Sequence, residues 1–464
     1  MIDVSSPAAQ RPLPDPPRPY RFPPFQRGRL ANGVQVLVAQ VRRTPLVTLR
    51  IVLDAGAARD PLEEAGLASL TAQAVAEGTA RLDGALLARE FEKLGGALST
   101  HISWDSAGVQ TTVLRERSAA AMALLAEAVC EPAFPEREIL RLRDERLAEL
   151  LELRTEPRGL ADQRFAEFLY HVRSRYSLPQ GGNEHTVEAL SREACARFHS
   201  QHYTPVSTAL VAVGDIELGE VIDAAARHLG DWEGLPPRAA ELVVEPARRE
   251  RAVAVIDRPE APQTEIRAGH IGLPRQHPDY FRVVVLNAIL GGLFNSRLNL
   301  NLREQHGYTY GASSSFEWRR GAGPFTISAA VATEVTLPAL GEILHELERI
   351  RNDPPESHEL TLATSFLQGV FPLRFETTEA IASALASLVI FGLPDDYYDR
   401  YRDLVGAVSA ADVHQAALRH IRPDELQFVL VGDYSRIGSS LQDAGLGSVF
   451  RFEAEEESLT LGDQ

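Results

Sequence analysis

The spacing of apolar residues changes several times along the first third of the chain, and each change marks an element. Leu30-Ala-Asn-Gly-Val-Gln-Val-Leu-Val38 places a turn at Asn32-Gly33 ahead of apolar alternation, which predicts a strand. Val47 to Leu53 predicts another. From Glu63 to Glu77 and from Ala85 to Leu94 apolar residues recur with the helical period. Leu98 to Leu114 alternates like a hairpin. Glu136 to Leu153 is expected to be a strong amphipathic helix, closed by Pro157. Runs of strands followed by runs of helices favour an α+β class over a doubly wound sheet.

The pattern then repeats. Ser191 to Asp215 reads as a helix, a turn at His202-Tyr-Thr-Pro205, and a strand ending in Val-Gly-Asp215. Ser409 to Asp433 reads the same way, through His420-Ile-Arg-Pro423 to Val-Gly-Asp433. His202 and His420, Pro205 and Pro423, and Gly214 and Gly432 are each 218 positions apart, without a gap. Three coincidences in one frame predict two copies of a domain of about 200 residues. The joint is expected at 235–249, a proline-bearing stretch without periodicity. The copies then span 25–234 and 250–455, each an antiparallel-rich β-sheet with helices packed on one face. Their opening strands are Val34 to Val38 and Ala252 to Asp257. Residues 1–24, with prolines recurring from Pro7 to Pro24, are expected to form a disordered or loosely docked arm.

Composition narrows the function classes. A chain of 464 residues is too long for one ordinary core. A formal charge of -17 is wrong for gripping phosphates, so no nucleic-acid partner is expected. The acidity reads as solubility, with an acidic chamber for basic peptides as the alternative. Two cysteines, Cys130 and Cys195, exclude a disulfide scaffold and a Cys-rich zinc site. No apolar run of about 18 residues appears, and the start lacks a basic, apolar leader. A cytoplasmic chain without a membrane partner is the expectation.

The familiar catalytic motifs do not occur. His345-Glu346 and His358-Glu359 lack the second histidine of His-Glu-x-x-His. There is no Gly-x-Ser-x-Gly elbow, phosphate loop or dinucleotide glycine fingerprint. His199 and His202 sit three apart on a predicted helix, a spacing that can grip a metal, but a third ligand is not evident. A structural role is expected for them, with a relocated metal as the alternative.

Other landmarks carry a resemblance. Asn32-Gly33-Val-Gln-Val, Asp54-Ala-Gly-Ala-Ala-Arg59-Asp, Gly66-Leu67-Ala68 and Gly78-Thr79 mark the first copy. Ala288-Ile-Leu-Gly-Gly-Leu-Phe-Asn-Ser-Arg-Leu298, Leu302-Arg303-Glu304 and Gly307-Tyr-Thr-Tyr310 mark the second. Together they resemble the inverzincins: the pitrilysin, insulinase and mitochondrial-processing-peptidase relatives. The likeness covers roughly 22–450 of this chain.

The resemblance implies a zinc site between the Gly-Leu-Ala and Gly-Thr landmarks, built on His-x-x-Glu-His. Here that frame reads Ser69-Leu70-Thr71-Ala72-Gln73. Both histidine positions, Ser69 and Gln73, and the base position, Ala72, are lost. Glu149 matches the family's third zinc ligand, and one carboxylate cannot hold zinc alone. No zinc and no self-contained hydrolysis are expected. Ser99, after Gly95-Gly96, stands near an asparagine of active members, and His101 and Trp104 read as ordinary strand residues.

The second-half landmarks survive. The resemblance implies that Arg303 and Tyr310 bind the substrate and steady an oxyanion across a chamber from the zinc helix. Gly307 is expected to end the helix that carries Arg303. The simpler alternative pairs Arg303 with Glu304 and puts Tyr310 in the core. In some bacterial members two chains associate, one with the zinc helix and one with the Arg/Tyr pair. This chain is therefore expected to be the non-catalytic accessory subunit, with zinc and its motif in a homologous partner and peptides as substrates. An inactive structural or peptide-binding protein, like respiratory core subunits of this fold, is the alternative.

Overall fold

The two strands of the repeat take the same place in two different sheets. The computed structural model describes residues 18–238 and 242–454. The first sheet holds β1 (Phe25–Arg29), β2 (Gln35–Gln40), β3 (Leu46–Leu53), β4 (Ser99–Ile102), β5 (Ala107–Leu114) and β6 (Thr208–Gly214). Their order is β1-β2-β6-β3-β5-β4. The second holds β7 (Ala252–Asp257), β8 (Gln263–Ile271), β9 (Thr309–Phe316), β10 (Pro324–Ala332), β11 (Gln427–Gly432) and β12 (Ser448–Glu453), in the order β12-β7-β11-β8-β10-β9.

β6 lies parallel to β2 and antiparallel to β3. β11 lies parallel to β7 and antiparallel to β8. The duplication read from the 218-residue offset is thus a duplication of sheet topology. The outermost strands differ: β1 runs antiparallel to β2, whereas β12 runs parallel to β7.

Strands β6, β7 and β11 are buried at every position, with no polar face. A strand of that kind needs cover on both sides. One cover is the copy's own helices. The other is exchanged between the halves. The Pro157–Leu169 helix of the first half packs on β8 and β11, and the Thr378–Ile390 helix of the second packs on β3 and β6. Phe165, Phe168 and Leu169 enter the core beneath Val429 and Val431. Ile381 and Leu385 join a core with Val52, Ala209 and Val211. Each such side chain, fully buried, stabilises by about 1.5–3 kcal/mol. Polar groups fix the register: Thr48 Oγ1 meets Thr378 Oγ1 at 2.7 Å, and Arg267 on β8 bonds Asp162 and the carbonyl of Arg158. The one-face packing expected from sequence therefore holds for a copy's own helices only.

Local expectations change in three places. The Glu136–Thr155 helix runs two residues past Leu153 and does stop before Pro157, whose ring holds Glu156 extended; no loop follows, because Glu156 caps the next helix and Pro157 opens it, where a missing N–H costs nothing. Of the predicted 63–77 helix, only Leu67–Ala74 is α-helical. The arm is docked where it is described: Phe22 stacks on Tyr398 at 4.6 Å, and Tyr20 on Phe375 at 6.4 Å, both in the second half. Residues 1–17 lie outside the described residues.

The joint runs back along the first half. His171 N–H donates to Glu245 O, Ala247 N–H to Leu169 O, and Ser174 Oγ to Val243 O at 2.7 Å. Among the described residues one helical run, Tyr280–Gln305, is long and apolar enough to cross a membrane by composition; most of it is buried in the second half.

Candidate functional site

The helix that carries the degenerate motif starts where its sequence demands. Gly66, at φ +101°, sits beside Gly181, and a Cβ there would lie 2.8 Å from Gly181 O. A side chain is thus excluded twice. The buried Asp60 carboxylate accepts from Gly66 N at 2.9 Å and Ala68 N at 2.8 Å, capping the free N–H groups. Arg175 pairs with Asp60 at 3.0 Å and also donates to the carbonyls of Leu178, Pro179 and Gln180. The 178–182 turn is thereby held against the helix.

On this helix Ser69 is buried and Gln73 is exposed. Ser69 Oγ donates to Gln180 O at 3.3 Å, and Ala72 is in the core. Glu149 is exposed and paired with Arg146 at 3.1 Å; Arg146 Nε also donates to Gly181 O. Where a third ligand would stand, a guanidinium neutralises the carboxylate. No motif marks Arg146, although its spacing from Glu149 is that of a standard helical ion pair. A hydroxyl, an amide and one arginine-bound carboxylate do not fit catalytic zinc, which takes three strong donors.

Arg303 and Tyr310 come together. They line one cleft of about 380 Å³ with Gly291, Phe294, Asn299 and Ala312. Leu300–Gln305, which bears Arg303, is a π-helical turn, and Gly307 at φ +67° ends it, with its N–H on Arg303 O at 3.1 Å. Tyr310 is then the second residue of β9. Its side chain is 93% exposed, so it is not core. Among the described residues its hydroxyl has no partner. Arg303 does reach Glu304, at 3.5 Å, but its guanidinium also lies over the Phe294 ring at 4.6 Å. Phe294 is a site residue that the sequence reading did not separate from the Gly-Gly landmark. The cleft is lined by second-half residues alone, so the degenerate motif and the Arg/Tyr pair do not share it.

The histidine pair resolves differently. His199 gives one ring nitrogen to Val129 O at 2.7 Å, and burial lowers its pKa. His202 is lowered to about 4 by burial and by Arg59, against the pull of Asp54. Among the described residues, the one group of three potential ligands is His277, Asp279 and His420. Asp279 is already met by His420 at 2.7 Å, Arg282 at 2.7 Å and Arg419 at 3.1 Å. Burial raises its pKa, but those partners outweigh it and hold the carboxyl at about 2. It is an ion-pair knot that joins two helices.

Ser99 begins β4, an edge strand whose outer backbone groups face no other strand among the described residues. His101 packs on Gly108 in β5. Trp104 is not a strand residue: it sits in the β4–β5 turn, with Arg319 of the second half stacked on it at 4.2 Å. Beside it Arg320 of the second half bonds Asp54 and Asp105, so the Asp54–Arg59 landmark is part of the joint between halves.

A family described as "Insulinase (Peptidase family M16)" matches residues 35–175, and one described as "Peptidase M16 inactive domain" matches residues 189–366. An uncharacterized zinc protease of Rickettsia bellii is 22% identical over 404 residues, 85% of this chain and 94% of that protein. Subunit 1 of the mitochondrial cytochrome b-c1 complex of Bos taurus is 24% identical over 269 residues, 58% of this chain and 56% of that protein. The crystal structure of a peptidase M16 inactive domain from Pseudomonas fluorescens superposes with a TM-score of 0.82 at 26% identity, covering 88% of this chain and 98% of that one.

Proposed function

The chain belongs to the M16 insulinase peptidase family, and on that premise we propose that it is the non-catalytic accessory subunit of a heterodimeric zinc peptidase. One contrast carries the reading. Arg303 and Tyr310 line an open cleft, while Ser69, Ala72, Gln73 and Glu149 offer no zinc ligand set.

In this reading the histidines and glutamate of an intact His-x-x-Glu-His in a homologous partner would hold the zinc, which would supply Lewis-acid polarisation of the scissile carbonyl and an activated water. This chain holds the peptide. The Arg303 guanidinium presents fixed, always-charged donors to a substrate carbonyl oxygen. The Tyr310 hydroxyl donates a second hydrogen bond. As the carbonyl carbon becomes tetrahedral its oxygen gains charge, and both donors tighten on it. Neither residue makes a bond or moves a proton. The chain itself takes no cofactor, and the assembly works in the cytoplasm.

Similarity to a cytochrome b-c1 subunit favours a second reading, an inactive structural or peptide-binding protein. Mixing separates the two. The purified chain is combined with a homologue carrying His-x-x-Glu-His, and cleavage of a quenched fluorescent peptide is followed. The accessory reading expects turnover from the mixture well above that of either chain alone. A homologue equally fast without this chain would overturn it.

A further inference from the structure

We propose that Phe294 is a positioning residue for Arg303, and that Asn299 sets the two against Tyr310. The inference rests on the role proposed above for Arg303, although its geometry stands apart from that role.

Phe294 is a large aromatic side chain left 67% exposed, beside the cleft. Burial does not account for its place. What it touches is the guanidinium, whose centre lies 4.6 Å from the ring centroid. A ring face attracts a cation and covers one side of it. The N–H edge of a guanidinium so covered stays available for bidentate donation. The neighbouring Glu304 carboxylate, at 3.5 Å, competes for the same group. Stacking on Phe294 opposes that collapse along the helix surface and keeps Arg303 over the cleft.

The backbone of Phe294 is itself fixed. The buried Asn299 donates from Nδ2 to Phe294 O at 2.7 Å and accepts from Ala312 N at 3.1 Å through Oδ1. Ala312 lies two residues beyond Tyr310 on β9. One buried amide thus ties the turn under Arg303 to the strand that carries Tyr310. A buried side chain with both ends bonded permits little relative motion. The separation of the two donors is set by Asn299, and the direction of Arg303 by Phe294.

The test uses the full chain and 2,3-butanedione, a small arginine reagent. Its rate of addition at Arg303 is read by peptide mass spectrometry in the native protein, F294A, F294L and F294W. An exposed stacked pair is expected to slow the reaction about two- to five-fold. F294A and F294L should react faster by that factor, and F294W should match the native chain. In the assembled peptidase the same order should hold in kcat, with KM little changed. Equal rates for F294L and F294W would make the ring dispensable and overturn the proposal, as would an unchanged F294A. The two readings fail separately. If Arg303→Ala leaves turnover intact while the Phe294 series shifts reactivity, the accessory role falls and the positioning stands. If Arg303→Ala abolishes turnover and the series is flat, only the positioning falls.

Discussion

Arg146 and Glu149 lie one helical turn apart and form an ion pair at 3.1 Å, on the helix that packs against the degenerate motif. The carboxylate that matches a zinc ligand is occupied by its own helix and faces water. An exposed pair of this kind stabilises by about 0–1 kcal/mol. Glu149→Gln should therefore change turnover of the assembled peptidase less than about two-fold. Steady-state kinetics checks this, and a ten-fold loss would return Glu149 to the chemistry.

Asp60 and Arg175 are a different case, because both side chains are buried. Asp60→Ala strands a guanidinium in the interior and frees the N-terminus of the Leu67–Ala74 helix. A loss of about 3–5 kcal/mol in urea unfolding is expected. A loss below about 1 kcal/mol would mean that water reaches Arg175.

The exchanged helices make the halves interdependent. Leu385, in the second half, is fully buried against strands of the first. Leu385→Ala should cost about 2–5 kcal/mol. Calorimetry should still record one transition, since neither sheet keeps its cover without the other half. Two separated transitions would contradict the interlock.

Much of this was legible in the sequence, for reasons that particular residues make clear. The repeat was readable because His202/His420, Pro205/Pro423 and Gly214/Gly432 share one offset. The β7 bounds, Ala252–Asp257, matched the predicted strand because an unbroken apolar run allows no other period. β1 was missed: Phe25-Gln-Arg-Gly-Arg29 is an edge strand with one apolar residue, and its pairing to β2 carries no local signal. The helix exchange was not legible either. The apolar character of Phe165 and Leu385 implies burial, but not by which half. Arg303 and Tyr310 were singled out through their motif and line one cleft, whereas Phe294 was hidden inside another motif.

Buried neutral histidines should weaken the fold in acid. His270 is held at about 3 by burial and by Arg422, whose N–H it accepts at 3.1 Å. Burial and Arg50 hold His101 at about 3 as well. The unfolded value is about 6.5. Between these values the unfolded chain binds a proton that the folded chain refuses, so stability is complete above about pH 6.5 and falls as pH drops toward 3. At pH 5, His270 alone should cost about 2 kcal/mol. His270→Gln should flatten the slope of unfolding free energy between pH 6.5 and 4.5, measured by urea titration. An unchanged slope would place the acid sensitivity elsewhere.

The central claim is that this chain lends two donors to a reaction whose zinc lies in another chain. It is tested most directly by kcat and KM of the reconstituted peptidase carrying Arg303→Ala or Tyr310→Phe in this chain. Loss of one oxyanion donor should lower kcat by about 10²–10³-fold while the assembly still forms. Unchanged turnover with both variants would contradict the account and leave a structural subunit of the same fold.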